Sequence, residues 1–110
     1  MLIFLFSVIE SVTGISPTYG FAGLEGTKTF LSGSAFNAST QYYCNVTNLV
    51  RNRSAIVYAT VKSQLQLKCI LVWPYEEAIA QVQVYKNNAA IPGTYFFNFQ
   101  GAHKFPISIF

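Results

Sequence analysis

Short stretches of the chain alternate between polar and apolar residues, and this alternation predicts β-strands rather than helices. The clearest stretch is 64–69, in which every second residue is apolar and the last is a cysteine. Its apolar members, which we expect to face the core, are Leu65, Leu67 and Cys69. The same alternation runs through 78–86 and 95–100, whereas no helical period of apolar residues persists beyond about two turns. The pattern therefore predicts an all-β protein.

Turn-forming residues separate these stretches at short intervals. Additional strands are predicted at 12–16, 27–32, 41–46 and 56–61. Loops and turns are predicted between them at 17–26, 33–37, 48–54, 74–77, 87–88 and 91–93. We expect Phe36 to close one end of the fold from its loop, and 91–93 to form a corner. About seven short strands at this spacing are typical of an antiparallel β-sandwich.

Length and composition fit a single folded domain. The 110 residues are 52% hydrophobic, 16% aromatic and only 10% charged, with no Asp, and this is a strand-rich profile rather than a disordered one. The Lys and Arg residues are scattered and form no basic run, so we expect no nucleic-acid partner. No stretch approaches the roughly 18 uninterrupted apolar residues of a membrane span. We therefore expect no membrane span within this chain.

Glycines, a proline and an aromatic residue recur at characteristic intervals in the first third of the chain. They are Ile15-Ser16-Pro17, Gly20, Gly26-Thr27, Gly33 and Phe36. The later part of the chain carries Tyr43-Cys44, Leu67-Lys68-Cys69, Pro74, Val82, Val84, Phe97 and Phe99. Together these residues resemble the IPT/TIG family of Ig-like domains over about 12–100, with departures at Glu25 and Thr29 and in the spacing from Cys69 to Pro74. The resemblance implies an Ig-like antiparallel β-sandwich of about seven strands over residues 12–101.

The resemblance does not fix a single function. Such domains serve as tandem stalk modules of plexin-type and Met-type receptors, as dimerisation or DNA-contacting parts of Rel-type transcription factors, and as spacers in some bacterial starch-acting enzymes. Our first hypothesis is an interaction or spacer module of a cell-surface or secreted glycoprotein, which binds a protein or carbohydrate partner beside neighbouring IPT/TIG domains. The alternatives are an intracellular DNA-associated or dimerisation domain and an accessory domain of a carbohydrate-active enzyme.

Both ends of the chain lie outside this predicted domain. Residues 1–11 are interpreted either as a secretory signal, because their apolar stretch is followed by small residues, or as the last strand of a preceding repeat. The second interpretation rests on Phe4-Leu5-Phe6, which precedes Ile15-Ser16 much as Phe97-Asn98-Phe99 precedes Ile107-Ser108. Residues 102–110 would then be a linker or the start of a following repeat. Both interpretations predict an extracellular protein.

Cys44 and Cys69 are the two cysteines of the chain, and their separation of 25 residues matches no zinc or redox motif. From the residues alone, they form either one disulfide or two buried thiols. The IPT/TIG resemblance implies a bridge, since that family has cysteines at these positions. Closing a loop of about 26 residues stabilises a domain by roughly 3.5 kcal/mol. A disulfide also predicts an extracellular or cell-surface location.

Three N-glycosylation sequons lie close together, and their acceptors are Asn37, Asn45 and Asn52. Because side chains alternate across a strand, Asn45 must face solvent if Cys44 faces the core. The disulfide and a glycan at Asn45 are therefore linked predictions. A glycan at Asn52 would exclude the phosphate contacts that Arg51 and Arg53 would make in a DNA-binding protein.

Trp73 and Tyr75 flank a strand-ending proline, where they form either an aromatic platform for a partner or a cap on the core. The remaining side chains predict no chemistry. His103 is the only histidine, and the adjacent Glu76 and Glu77 point apart, so we expect a solvated turn instead of an acid–base pair. We expect no enzyme activity, no cofactor and no metal site, because the chain offers no Asp for calcium and a single histidine for zinc.

Overall fold

The computed structural model describes residues 9–101, and regular secondary structure within that range consists of β-strands. The strands are β1 (Ser11–Ser16), β2 (Tyr19–Phe21), β3 (Gly23–Ser34), β4 (Tyr42–Asn48), β5 (Arg53–Tyr58), β6 (Thr60–Ser63), β7 (Gln66–Trp73), β8 (Ala78–Lys86) and β9 (Ala89–Gln100). The predictions for residues 1–8 and 102–110, including the signal, repeat and linker interpretations and His103, lie outside the described residues.

The strands form two sheets that pack face to face around one hydrophobic core. One sheet has the order β1-β3-β7-β6 and the other the order β2-β9-β8-β4-β5. Both contribute fully buried side chains, among them Leu31, Val46, Leu67, Leu71, Val82, Val84, Phe97 and Phe99. The prediction of an all-β, Ig-like sandwich is confirmed, with nine strands within the described residues instead of about seven.

The segment 17–26, predicted as a turn, instead contains β2 and the start of β3. Pro17 has no N–H to donate and interrupts the first strand, so the chain leaves the four-stranded sheet after Ser16 and joins the five-stranded sheet at Tyr19. There β2 pairs with β9 in parallel, with Tyr19 opposite Asn98. The sandwich is thus antiparallel except at this pair.

The predicted strand at 56–61 is two strands that belong to different sheets. β5 ends at Tyr58 in the five-stranded sheet, and β6 begins at Thr60 in the four-stranded sheet. Ala59 lies between them, and its N–H donates a 3.0 Å hydrogen bond to the carbonyl oxygen of Tyr42. The chain therefore crosses from one sheet to the other within a single residue.

Leu65 does not face the core, and its predicted position was wrong. It lies in the turn between β6 and β7 with 64% of its surface exposed. Its N–H donates to the Ser63 hydroxyl, and its carbonyl oxygen accepts from the N–H of Gly33. These bonds hold the backbone in a turn where alternation alone predicted a strand. Leu67 and Cys69, which follow in β7, are fully buried as predicted.

The predicted corner at 91–93 is a bulge within the long strand β9, where the register against β8 shifts. Gly93 has a φ of +113°, and a Cβ atom there would collide with the carbonyl oxygen of Val12. Only glycine fits such a position without strain. At the end of β3, Phe36 is buried against Tyr42, with ring centroids 5.6 Å apart, which confirms that it closes the sandwich.

Thr29 is a buried polar residue in an otherwise apolar interior. It stands where the IPT/TIG resemblance leads one to expect an aliphatic side chain. Its hydroxyl donates a 2.9 Å hydrogen bond to the carbonyl oxygen of Thr27, which satisfies the group locally and removes the penalty of burying it. The substitution is therefore compatible with the fold.

Candidate interaction surfaces

The disulfide predicted between Cys44 and Cys69 is present. Cys44 lies on β4 and Cys69 on β7, so the bridge joins the two sheets across the core. The Cα atoms are 6.6 Å apart, and neither residue has exposed surface. The bond fixes the spacing of the sheets at a position where both contribute inward side chains.

Asn45 lies on the outer side of β4, since its neighbours Cys44 and Val46 are fully buried. Its partners in the sheet are Ile56 on β5 and Gln83 on β8. The hydroxyl of Thr47 donates a 3.2 Å hydrogen bond to Oδ1 of Asn45. The asparagine and the threonine of the sequon therefore stand side by side on one face of the strand, as alternation requires.

Asn45 belongs to a broad surface that we call the uncharged face, the outer side of β4, β5, β8 and β9. Its residues are Tyr43, Asn45, Thr47, Ser54, Ile56, Tyr58, Ile79, Gln81, Gln83, Tyr85, Thr94, Phe96 and Asn98. Amides, hydroxyls and aromatic rings alternate across it, and none of these thirteen side chains is charged. Such a surface is suited to a neutral, hydroxyl-rich partner, because it contains no charge that binding would have to desolvate.

Three tyrosine rings form a row across the uncharged face. Tyr43 on β4 stacks on Tyr85 of β8, with centroids 5.4 Å apart and planes inclined by 7°. On its other side it meets Tyr58 of β5 at 6.3 Å in an edge arrangement. Tyr58 remains 70% exposed. Cross-strand aromatic pairs of this kind stabilise a sheet by about 0.5–1 kcal/mol each.

The other two sequons lie in exposed loops. Asn37 is in the connection between β3 and β4, where its Oδ1 accepts hydrogen bonds from the N–H and hydroxyl of Ser39. Asn52 is in the turn between β4 and β5 and adopts a φ of +56°, a conformation that asparagine tolerates better than most residues. All three predicted acceptor asparagines are therefore at least partly exposed to solvent, but only Asn45 lies within a strand.

Arg51 and Arg53, beside Asn52, form ion pairs with Glu76. The N···O distances are 2.8 Å from Arg51 and 3.5 Å from Arg53. A hydrogen bond from its own backbone amide and another from Arg51 lower the pKa of Glu76. The sequence predicted a solvated turn at Glu76. It did not predict the ion pair of Glu76 with Arg51, which lies 25 residues away along the chain.

Trp73 and Tyr75 form an edge-on pair of rings with centroids 4.9 Å apart. Trp73 has no exposed surface, stacks on Phe99 at 5.0 Å, and donates its indole N–H to the carbonyl oxygen of Glu76. Tyr75 is half-buried and donates its hydroxyl to the carbonyl oxygen of Ser54. Trp73 is therefore part of the core, and of the two predicted partner-binding aromatics only Tyr75 is accessible.

Glu10 joins β4 and β8 through two contacts that the sequence did not reveal. Tyr42 donates its hydroxyl to the carboxylate, and Lys86 forms an ion pair with it. Desolvation opposes ionisation of Glu10, but the hydrogen bonds from Lys86 and Tyr42 outweigh it and lower the pKa of the carboxyl. Desolvation and the bond to Glu10 raise the pKa of Tyr42, and the bond to Glu10 raises the pKa of Lys86.

The outer side of the four-stranded sheet differs in charge from the uncharged face. Lys28 lies opposite Ile70 in the register of β3 and β7, and Phe30 lies opposite Lys68. Two lysines and two apolar residues therefore alternate on the outer side of β3 and β7. We call the surface formed by these four residues the basic face. The sandwich thus presents two chemically distinct surfaces.

Within residues 9–101, no cluster of three or more His, Cys, Asp or Glu side chains is arranged to hold a metal ion. The described part of the chain also contains no helix of the length and apolarity needed to cross a membrane. No protein-family profile matches the chain, and no curated protein sequence matches it.

Proposed function

We propose that the chain is a non-catalytic, Ig-like interaction or spacer module of a secreted or cell-surface glycoprotein, of the IPT/TIG type and one of a tandem array. The observation that carries this proposal is the buried Cys44–Cys69 bridge between the two sheets. Structural disulfides form and persist in oxidising compartments and are rare in cytosolic and nuclear proteins. The three exposed or half-exposed sequon asparagines support the same compartment.

The module acts by presenting rigid surfaces to a protein or carbohydrate partner. The bridge and the shared core hold the two sheets in one arrangement, so each outer face is preorganised and loses little conformational entropy on binding. The basic face suits a partner with carboxylates, and the uncharged face suits one with hydroxyls and amides. No bond is made or broken in this mechanism.

The ion pairs of Glu76 favour this proposal over the intracellular, DNA-associated alternative. In that alternative, Arg51 and Arg53 would contact phosphates. Both guanidinium groups are instead within 4 Å of the Glu76 carboxylate, which offsets the positive charge that attracts a nucleic-acid backbone.

The test is mass spectrometry of non-reduced protein from its native source. We expect a peptide pair cross-linked through Cys44 and Cys69, together with a glycan on at least one of Asn37, Asn45 and Asn52. Free thiols at both cysteines with all three asparagines unmodified would contradict the proposal and favour an intracellular role. Electrophoresis with duplex DNA at low salt is a second measurement, and we expect no shift.

A further inference from the structure

We propose that Asn45 carries an N-linked glycan whose first sugar packs on the uncharged face against Tyr58. This inference rests on the proposed function, because N-glycosylation requires passage through the secretory pathway. It goes further by selecting one of three sequons as structural and by identifying what covers this face of the sandwich.

The position of Asn45 separates it from the other acceptors. It lies within β4 between two neighbouring strands, whereas Asn37 and Asn52 lie in loops. A sugar attached at Asn45 therefore rests over a sheet, and sugars attached in the loops extend into solvent. Gln83, the neighbour of Asn45 on β8, has its side-chain amide turned toward β9 by hydrogen bonds to Ile91 and Thr94. The amide of Gln83 is therefore directed away from Asn45.

A sugar attached to Nδ2 of Asn45 would displace no hydrogen bond among the described residues. Thr47 donates to Oδ1 at 3.2 Å, and within the described residues Nδ2 makes no hydrogen bond. In the reaction, Nδ2 attacks C1 of a sugar carried on a polyprenyl pyrophosphate, which the secretory pathway supplies. The N–C1 bond forms, the C1–O bond to the pyrophosphate breaks, and one amide proton is released to a base. The pyrophosphate lipid leaves, and no oxidant or reductant is required.

Two aromatic rings adjoin the attachment point. Tyr43 lies two residues before Asn45 on the same face of β4, and Tyr58 lies opposite Tyr43 on β5, diagonal to Asn45 and within reach of a large side chain. Tyr58 is 70% exposed. Its ring is inclined by 78° to that of Tyr43, so it is not part of the parallel stack of Tyr43 and Tyr85. The C–H bonds of a sugar carry partial positive charge and pack against the negative face of such a ring.

A glycan in this position also covers apolar surface that is otherwise exposed. Ile56, the cross-strand neighbour of Asn45, is 59% exposed, and Tyr58 stands beside it on β5. Covering these two neighbouring side chains removes apolar surface from water, which is favourable. The occupant we assign is attached to the same face through a covalent bond, so no separate partner has to find it.

The experiment uses the full chain, secreted from eukaryotic cells behind an added signal peptide. Ser39→Ala and Ser54→Ala remove the two loop sequons, and an endoglycosidase trims any glycan to a single N-acetylglucosamine. The same sequence made in an oxidising bacterial periplasm provides the sugar-free form. Because the two forms share every residue, the difference in their unfolding temperatures isolates the effect of one sugar.

We expect Asn45 to be modified and the sugar to raise the unfolding temperature by about 4 °C, as one aromatic contact would in a domain of this size. Tyr58→Ser should remove most of this gain. Tyr19→Ser is the matched control, since Tyr19 is 58% exposed but lies on β2, three strands from β4, and it should leave the gain intact. A protein with Thr47→Ala and both loop sequons intact should gain nothing from its loop sugars.

The outcomes separate this inference from the proposed function. An unmodified Asn45 in secreted protein whose Cys44–Cys69 bridge has formed overturns the inference and leaves the proposed function standing. A modified Asn45 whose stabilising effect survives Tyr58→Ser overturns the packing against Tyr58. Only free thiols and unmodified sequons in the native protein overturn the proposed function itself.

Discussion

The hydroxyl of Tyr42 donates a hydrogen bond to the carboxylate of Glu10, which lies immediately before the first strand. Tyr42 begins β4 in the five-stranded sheet, while the residue after Glu10 begins β1 in the four-stranded sheet. Lys86, at the end of β8, completes the contact. The Glu10 carboxylate therefore ties the chain entering the first strand of the four-stranded sheet to two strands of the five-stranded sheet.

We expect Glu10→Gln to destabilise the domain by about 1–2 kcal/mol at pH 7, because it replaces charge-assisted hydrogen bonds with neutral ones. The folded-state pKa of Glu10 is lowered below 4.5. The stabilisation that ionised Glu10 gives to the folded state is therefore fully present above about pH 4.5, the pKa of the unfolded chain, and is lost as the pH falls through the folded-state pKa. Urea unfolding at pH 7 and pH 3 should show a smaller difference from the wild type at the acid pH. Glu25→Gln, at an exposed position on β3, is the control, and an equal deficit at both pH values for Glu10→Gln would contradict this account.

Strand alternation predicted the orientation of the disulfide residues and of Asn45 because alternation is a local property of extended backbone. It predicted Cys44 and Cys69 inward and Asn45 outward, and all three are so placed. The same rule failed at Leu65, since hydrogen bonds to Gly33 and Ser63 form a turn there. Whether a residue lies in a strand or a turn was decided by a partner distant in the sequence.

Long-range contacts account for most of what the sequence did not reveal. Glu10 and Tyr42 are separated by 32 residues and Arg51 and Glu76 by 25, and no local pattern links the members of either pair. The parallel pairing of β2 with β9 joins nearly opposite ends of the described chain. The three residues of β2 are too few to show an alternation that would predict a strand.

Cys44→Ala combined with Cys69→Ala should lower the free energy of unfolding by about 3.5 kcal/mol, the entropy of closing a loop of this length in the unfolded chain. Guanidinium unfolding monitored by circular dichroism measures the change. Reduction of the wild type under the same conditions should give a similar loss. A loss below about 1 kcal/mol would show that the bridge contributes little to the stability on which a rigid module depends.

Trp73→Ala should cost about 3–5 kcal/mol, because it removes a fully buried ring that stacks on Phe99. Tyr75→Phe removes only the hydrogen bond to Ser54 and should cost about 1 kcal/mol or less. Thermal unfolding followed by circular dichroism measures both. Trp73 is the only tryptophan, so its fluorescence in the wild type should also be shielded from iodide. Ready quenching would contradict its place in the core.

Gly93→Ala should destabilise the domain by about 1–3 kcal/mol, because an added Cβ meets the carbonyl oxygen of Val12 at a backbone angle reserved for glycine. Gly14→Ala is a matched control in β1, where an added Cβ meets nothing within 4 Å. We expect that change to stay within about 0.5 kcal/mol of the wild type. Equal effects of the two substitutions in urea unfolding would contradict the bulge at Gly93.

The Cys44–Cys69 bridge encloses β5, β6 and the crossing at Ala59, and its 25-residue separation leaves 24 residues between the two sulfur-bearing positions. When such a chain is pulled from its two ends, this enclosed stretch carries no load while the bond is intact. At about 3.4 Å per residue, roughly 80 Å of contour length is withheld. Reduction under tension would release that length in one step. The length to which the module can be extended by force therefore depends on this one disulfide.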